Sequence, residues 1–154
     1  MKIFKNKFVL ISSLLGAAFI FSGNVAAHNQ AGSFTTGLAN AVDFYQVTCS
    51  DDGSGAPSYL EFQVKDTTAN TAKVQALVQK GTSCGVNACA VTTLDTIDTD
   101  ALYSPLAKVT QGAGVYNLFV SHTSTGADAY DVLLHCKTAA GVHTGTSVVS
   151  RQQK

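Results

Sequence analysis

Four histidines and four cysteines, together with two short acidic runs, are the side chains of this 154-residue sequence with chemistry to offer. His28, His122, His135 and His143 are imidazoles, and nitrogen ligands in a tetragonal array suit Cu(II). His28 follows Val25-Ala26-Ala27, so a cut after Ala27 makes it the first residue. Its α-amine and its Nδ1 then form a chelating pair that one more imidazole completes. His122 is the expected partner, because it sits near a predicted turn with freedom to reach. His143 is a further candidate ligand, and His135 is expected to point outward from its strand beside Cys136. The competing expectation is that His28 merely marks the cut on a frayed terminus.

A metal held by an N-terminal histidine resembles the histidine brace of copper-dependent oxygenases and periplasmic copper carriers. Copper is therefore the alternative to a chain without any cofactor, which is the main expectation. Asp95, Asp98 and Asp100, with Asp51 and Asp52, offer oxygens of the kind Ca2+ takes. Neither run has the Asp-x-Asp-x-Asp-Gly and late Glu of a calcium loop, so both read as solvated acidic segments. Nucleophilic catalysis finds no Gly-x-Ser-x-Gly elbow, and Ser54 lies in the generic run Gly53-Ser54-Gly55. Glu61 is the single glutamate, which weakens a carboxylate pair for glycoside cleavage. The expectation is a non-enzyme with no catalytic residue.

The N-terminus indicates the compartment. Lys2, Lys5 and Lys7 precede an apolar run from Phe8 to Phe21, and Val25 and Ala27 place small residues at −3 and −1 of a cut. Residues 1–27 read as a secretory signal peptide. The apolar run is short against the ~20 residues of a spanning helix, so no membrane span is expected after cleavage. Residues 28–154 are expected to form one domain. They carry seven basic and ten acidic side chains with no basic stripe, which argues against a nucleic-acid partner. Only 13% of the sequence is charged; low charge suits an exported β protein and one that associates with its own kind.

An even number of cysteines in an exported chain predicts two disulfides. Of three possible connectivities, Cys49–Cys136 and Cys84–Cys89 are favoured. Cys49 and Cys136 lie in strand-like runs, in phase with the apolar face of each, whereas Cys84 and Cys89 flank the short loop Gly85-Val86-Asn87-Ala88. Their C-x4-C spacing is not that of a zinc or redox pair.

The elements that must position these groups read as strands. Val42 to Cys49, Tyr59 to Lys65 and Ala72 to Gln79 alternate apolar and polar side chains. The third also suits a helix, and its length and flanking turns favour a strand. Cys89 to Leu94, Leu106 to Thr110 and Gly141 to Val149 predict shorter strands, and His28 to Ala41 an extended lead-in or edge strand. Gly112 to Lys137 predicts a β-hairpin, with Tyr116, Leu118 and Val120 on one arm, Tyr130, Val132, Leu134 and Cys136 on the other, and a polar tip between. Seven to nine short strands predict an all-β fold, a single antiparallel sandwich of jelly-roll or immunoglobulin-like type.

Gly114-Val115-Tyr116-Asn117-Leu118-Phe119-Val120, Tyr130-Asp131-Val132-Leu133-Leu134 and the opening Ala41-Val42-Asp43-Phe44-Tyr45-Gln46-Val47 together resemble the bacterial pre-peptidase C-terminal domain. The likeness covers roughly Asp43 to Lys137. It implies a jelly-roll-like sandwich without catalytic residues that accompanies an exported enzyme and binds surfaces or polymers. This sequence departs from the pattern in its four cysteines and in having no enzyme beside it. The expectation is a binding or structural module of a bacterial periplasm or cell surface, with a protein or surface polymer as partner and self-association through strand edges. The alternatives are a periplasmic copper-binding protein using His28 and an accessory domain of an exported hydrolase.

Overall fold

Alternating side chains sort into an inner and an outer set, and the inner sets of nine strands meet. A computed structural model describes residues 28–82 and 84–154; the expected signal peptide lies outside them. The strands are β1 (His28–Phe34), β2 (Val42–Ser50), β3 (Tyr59–Asp66), β4 (Val74–Gln79), β5 (Ala90–Leu94), β6 (Ala107–Val109), β7 (Gly114–His122), β8 (Asp128–Lys137) and β9 (Gly145–Gln152). They form two antiparallel sheets, one in the order β1-β8-β3-β6 and one in the order β5-β4-β7-β2-β9. Tyr45 and Val47, Leu60, Phe62 and Val64, Val74 and Val78, Tyr116, Leu118 and Val120, and Tyr130, Val132 and Leu134 fill the space between them. Each fully buried aliphatic or aromatic side chain stabilises the fold by roughly 1.5–3 kcal/mol relative to exposure. Residues 74–79 are a strand, with Val74, Ala76 and Val78 buried and Leu77 exposed on the other face.

The expected hairpin at Gly112–Lys137 is an arch instead. β7 pairs with β2 and β4, while β8 pairs with β1 and β3, in the opposite sheet. The two arms face each other across the core rather than lying side by side. Alternation specifies which face of a strand is apolar and says nothing about its hydrogen-bonded neighbour, so a hairpin and an arch share one sequence pattern. At the crossing, His122 ends β7 and Asp128 opens β8, with Nδ1 2.7 Å from Oδ2 and both side chains fully buried.

The favoured cysteine pairing is the one present. Cys49–Cys136 links β2 to β8 and so ties one sheet to the other across the core, at a sequence separation of 87. Cys84–Cys89 closes the small loop before β5. The N-terminal segment is seated along its whole strand, with His28 opposite Leu134 and Phe34 opposite Asp128. Phe34 is fully buried and stacks on His122 at 4.6 Å between ring centroids. Gly32 lies under the Tyr130 ring, where a Cβ would stand 2.3 Å from Cζ. The Tyr130 hydroxyl donates to Asp43 and lies 2.8 Å from that of Tyr45, so a buried polar chain joins β8 to β2. Burial, and then these hydrogen bonds, push the Tyr130 hydroxyl far above the ordinary phenol value.

Candidate functional site

The two outer faces of the sandwich differ in charge. On the four-stranded sheet, Lys65 pairs with Asp131 at 3.4 Å and Lys137 with Glu61 at 2.6 Å. Lys108 stands over the Tyr59 ring at 5.3 Å. The five-stranded sheet turns Gln75, Leu77 and Gln79 of β4, Asn117, Phe119 and Ser121 of β7, and Phe44, Gln46 and Thr48 of β2 to the outside. Arg151 near the end of β9 is the charge beside this face, and its Nε donates to Gln46 Oε1 at 2.9 Å.

The register builds an apolar row across this face. Thr92 pairs with Leu77, Leu77 with Phe119, and Phe119 with Phe44. The Phe44 and Phe119 rings stack, with centroids 4.9 Å apart and planes 14° apart. Leu77 is 38% exposed and Val115, nearby on β7, is 49% exposed. Amides flank the row: Asn117 Nδ2 donates to Gln79 Oε1 at 3.2 Å, and Gln75 Nε2 donates to Ser121 Oγ at 3.0 Å. An amide offers both donors and acceptors, and an aromatic pair offers a flat, dispersive surface. The arrangement suits a neutral ligand that is part apolar and part hydroxyl or amide.

The structure sets two of the expected copper ligands, His28 and His122, apart. His122 is buried at the arch, with Nδ1 on Asp128 and Nε2 2.6 Å from the Leu38 carbonyl oxygen. His28 is at the far end of β1, six residues along the strand from the Phe34 that stacks on His122. At about 3.3 Å per residue that is on the order of 20 Å. Among the described residues, no three His, Cys, Asp or Glu side chains are placed to hold a metal ion.

His143 has a different neighbour. The turn after β8 folds back, with Thr144 N bonding to Cys136 O at 3.0 Å and Thr138 N to Val142 O at 2.9 Å. Gly141, at φ 79°, supplies the left-handed residue this turn requires. His143 thereby bridges Lys137 and packs edge-on against His135, with ring centroids 4.4 Å apart. His135 points outward, as expected, with Nδ1 3.4 Å from Glu61 Oε1. Burial holds the His135 imidazole below its ordinary pKa, helped by His143 and Lys137 and opposed by Glu61.

The acidic residues divide between opposite ends of the sandwich. Asp51 and Asp52 cap their own turn, accepting from Gly53 N at 2.8 Å and Ser54 N at 3.0 Å respectively. At the other end Asp95 accepts from Asp66 N at 2.7 Å, Asp98 pairs with Lys73 at 2.5 Å, and Asp100 accepts from Leu102 N at 2.9 Å. Asp66 is fully buried there, and its Oδ2 has no hydrogen-bond partner among the described residues. Burial, followed by the charges of Asp128, Asp98 and Asp95, pushes its carboxyl up to about 6.

Sequence reasoning passed over the Phe44–Phe119 pair and the buried Asp66. Both had a signal. Phe44 and Phe119 lie out of phase with the apolar sets of their strands, and Asp66 continues the inward phase of Leu60, Phe62 and Val64. Comparison with family models, with curated proteins and with solved structures found no match for this chain.

Proposed function

We propose that the chain is a non-enzymatic binding module acting outside the cytoplasm, with the uncharged face of the five-stranded sheet as its working surface and a neutral surface polymer, a glycan, as its partner. The observation that carries this reading is the stacked pair Phe44–Phe119 set among amides and hydroxyls in a face without carboxylates or lysines. Sugar rings present apolar faces and hydroxyl edges, which match aromatic planes and amide groups respectively. The two disulfides favour an oxidising compartment, and the resemblance to the pre-peptidase C-terminal domain favours the same non-catalytic role. Co-sedimentation with insoluble cellulose and chitin tests it. Retention should be insensitive to salt, because no charge pair is involved. It should fall at least ~10-fold in Phe44→Ala/Phe119→Ala, as removal of two stacking rings implies. Lys137→Ala, on the opposite face, should leave it unchanged. Absence of retention, or equal retention by the double variant, overturns the reading.

A second reading, self-association through a strand edge, rests on β1. This seven-residue edge strand, HNQAGSF, contains no Lys, Arg, Asp, Glu or Pro, the residues that natural edge strands use to prevent pairing. A groove of about 280 Å³ runs beside it, lined by Gly32, Ser33, Thr35, Gln153 and Lys154. Sedimentation at rising concentration should show association that Ala31→Lys reduces; a monomer at all concentrations overturns it.

A further inference from the structure

Glu61, His135 and His143 form a cluster in which one ring nitrogen, Nε2 of His135, is left unmatched among the described residues. The imidazole of His135 meets the Glu61 carboxylate through Nδ1 at 3.4 Å, and that carboxylate is itself held by Lys137 at 2.6 Å. Metal-bound histidines are commonly oriented in this way, with one ring nitrogen on a carboxylate and the other on the ion. The other nitrogen of His135, Nε2, is buried and has no hydrogen-bond partner among the described residues. A buried polar atom left unmatched is destabilising and calls for an explanation. His143 is the neighbouring ring, at 4.4 Å between centroids.

Both rings stand on fixed backbone. His135 lies within β8, paired on one side with Glu61 of β3. His143 is set by the turn that hydrogen-bonds back to Cys136 and Thr138. The side chains retain limited access, at 14% for His135 and 10% for Glu61. Two imidazoles and no thiolate suit a borderline ion rather than Ca2+ or Mg2+, which take oxygen ligands.

We propose that His135 and His143 form a two-imidazole site for a divalent transition cation, copper or zinc, with Glu61 as the group that orients His135. The two rings approach one ion by small side-chain rotations to the ~2.0–2.1 Å of a metal–nitrogen bond, and solvent fills the remaining positions. The site is on the charged sheet, on the opposite side of the molecule from the uncharged face, so it stands independently of the glycan reading.

The test is titration of the purified protein with Cu2+ and with Zn2+, followed by calorimetry, melting temperature and, for copper, EPR. Expected are one ion per chain, a melting temperature raised by the ion, and a copper signal split by two nitrogens. His143→Ala, which alters an accessible turn residue, should retain the metal-free melting temperature and weaken binding at least ~10-fold. Glu61→Gln should weaken binding ~10–100-fold, as loss of an orienting carboxylate does, while retaining the two-nitrogen signal. Absence of binding overturns the proposal, as does binding unchanged in both His143→Ala and His135→Gln. Binding that disappears in His28→Ala but survives in His143→Ala also overturns it, and assigns the ion to the N-terminus.

Discussion

His122 and Asp128 close the arch between the two sheets, the imidazole Nδ1 2.7 Å from the carboxylate Oδ2, with both side chains sealed from solvent. Five residues separate them, and in that span the chain leaves one sheet and enters the other. The other nitrogen, Nε2, lies 2.6 Å from the Leu38 carbonyl oxygen, so the same ring also fastens the loop that joins β1 to β2.

Removing the ring should therefore loosen two connections at once. His122→Ala leaves the Asp128 carboxylate without one of its partners and opens a cavity beside Phe34. Breaking a buried pair by deleting one member costs about 3–5 kcal/mol. Urea unfolding at neutral pH should show a loss in that range, and a loss below about 1 kcal/mol would mean that the arch does not depend on the pair.

Asp66 should make stability fall as pH rises. Its carboxyl ionises near 3.8 when free and at about 6 in the folded chain. Between those values the folded state binds more protons than the unfolded state, so this group's contribution is fully favourable below the lower value and is lost through the upper one. Asp66→Asn cannot ionise and can still accept from Thr68 N, the bond that Oδ1 makes at 2.9 Å. It should exceed the parent by about 1–3 kcal/mol at pH 7.5, with the difference shrinking toward pH 4. Parallel unfolding curves at the two pH values measure this, and a constant difference would rule it out.

The two disulfides should differ in worth. Closing the 87-residue loop of Cys49–Cys136 limits the unfolded chain by about 4–5 kcal/mol, against about 2 kcal/mol for the five-residue separation of Cys84–Cys89. Cys49→Ala/Cys136→Ala should accordingly lower the denaturation midpoint far more than Cys84→Ala/Cys89→Ala. Equal shifts would place the stabilisation elsewhere.

Gly32 is needed for close approach. A methyl group there meets the Tyr130 ring, whose hydroxyl is held by Asp43 and Tyr45 and cannot swing away freely. Gly32→Ala should cost about 1–3 kcal/mol through overpacking. Faster hydrogen exchange should appear first in β1 and in the facing half of β8; protection unchanged along β1 would contradict this.

The strands were legible where alternation is strict. β2, β3, β4, β7 and β8 begin and end within a residue or two of the runs that predict them, because their inward residues are almost all apolar and recur at every second position between turn-forming runs. Their neighbours were not legible, since pairing depends on which sheet a turn enters, and the short polar run after His122 permits a hairpin or an arch. β1 lacked a readable period because Gly32 is dictated by the Tyr130 ring above it and Phe34 alone supplies apolar burial. The outward direction of His135 followed from its phase against Cys136. Its contact with His143 depends on the fold-back of the turn at Gly141, and no fixed spacing in sequence encodes that. The disulfide partners were readable because both cysteines share the inward phase of their strands.

Cys49–Cys136 turns most of the sandwich into a closed covalent ring. All of β3, β4, β5, β6 and β7 lie within it, together with the end of β2 and nearly all of β8. A protease that cuts once in an exposed loop inside the ring, such as the run around Val86, leaves the pieces joined. Two segments lie outside the ring, β1 with the start of β2 on one side and β9 on the other, and these two touch. Fraying and exchange of a strand between molecules are both confined to this one seam, which takes in Phe44 and His143, while Phe119, His122 and His135 stay threaded in place.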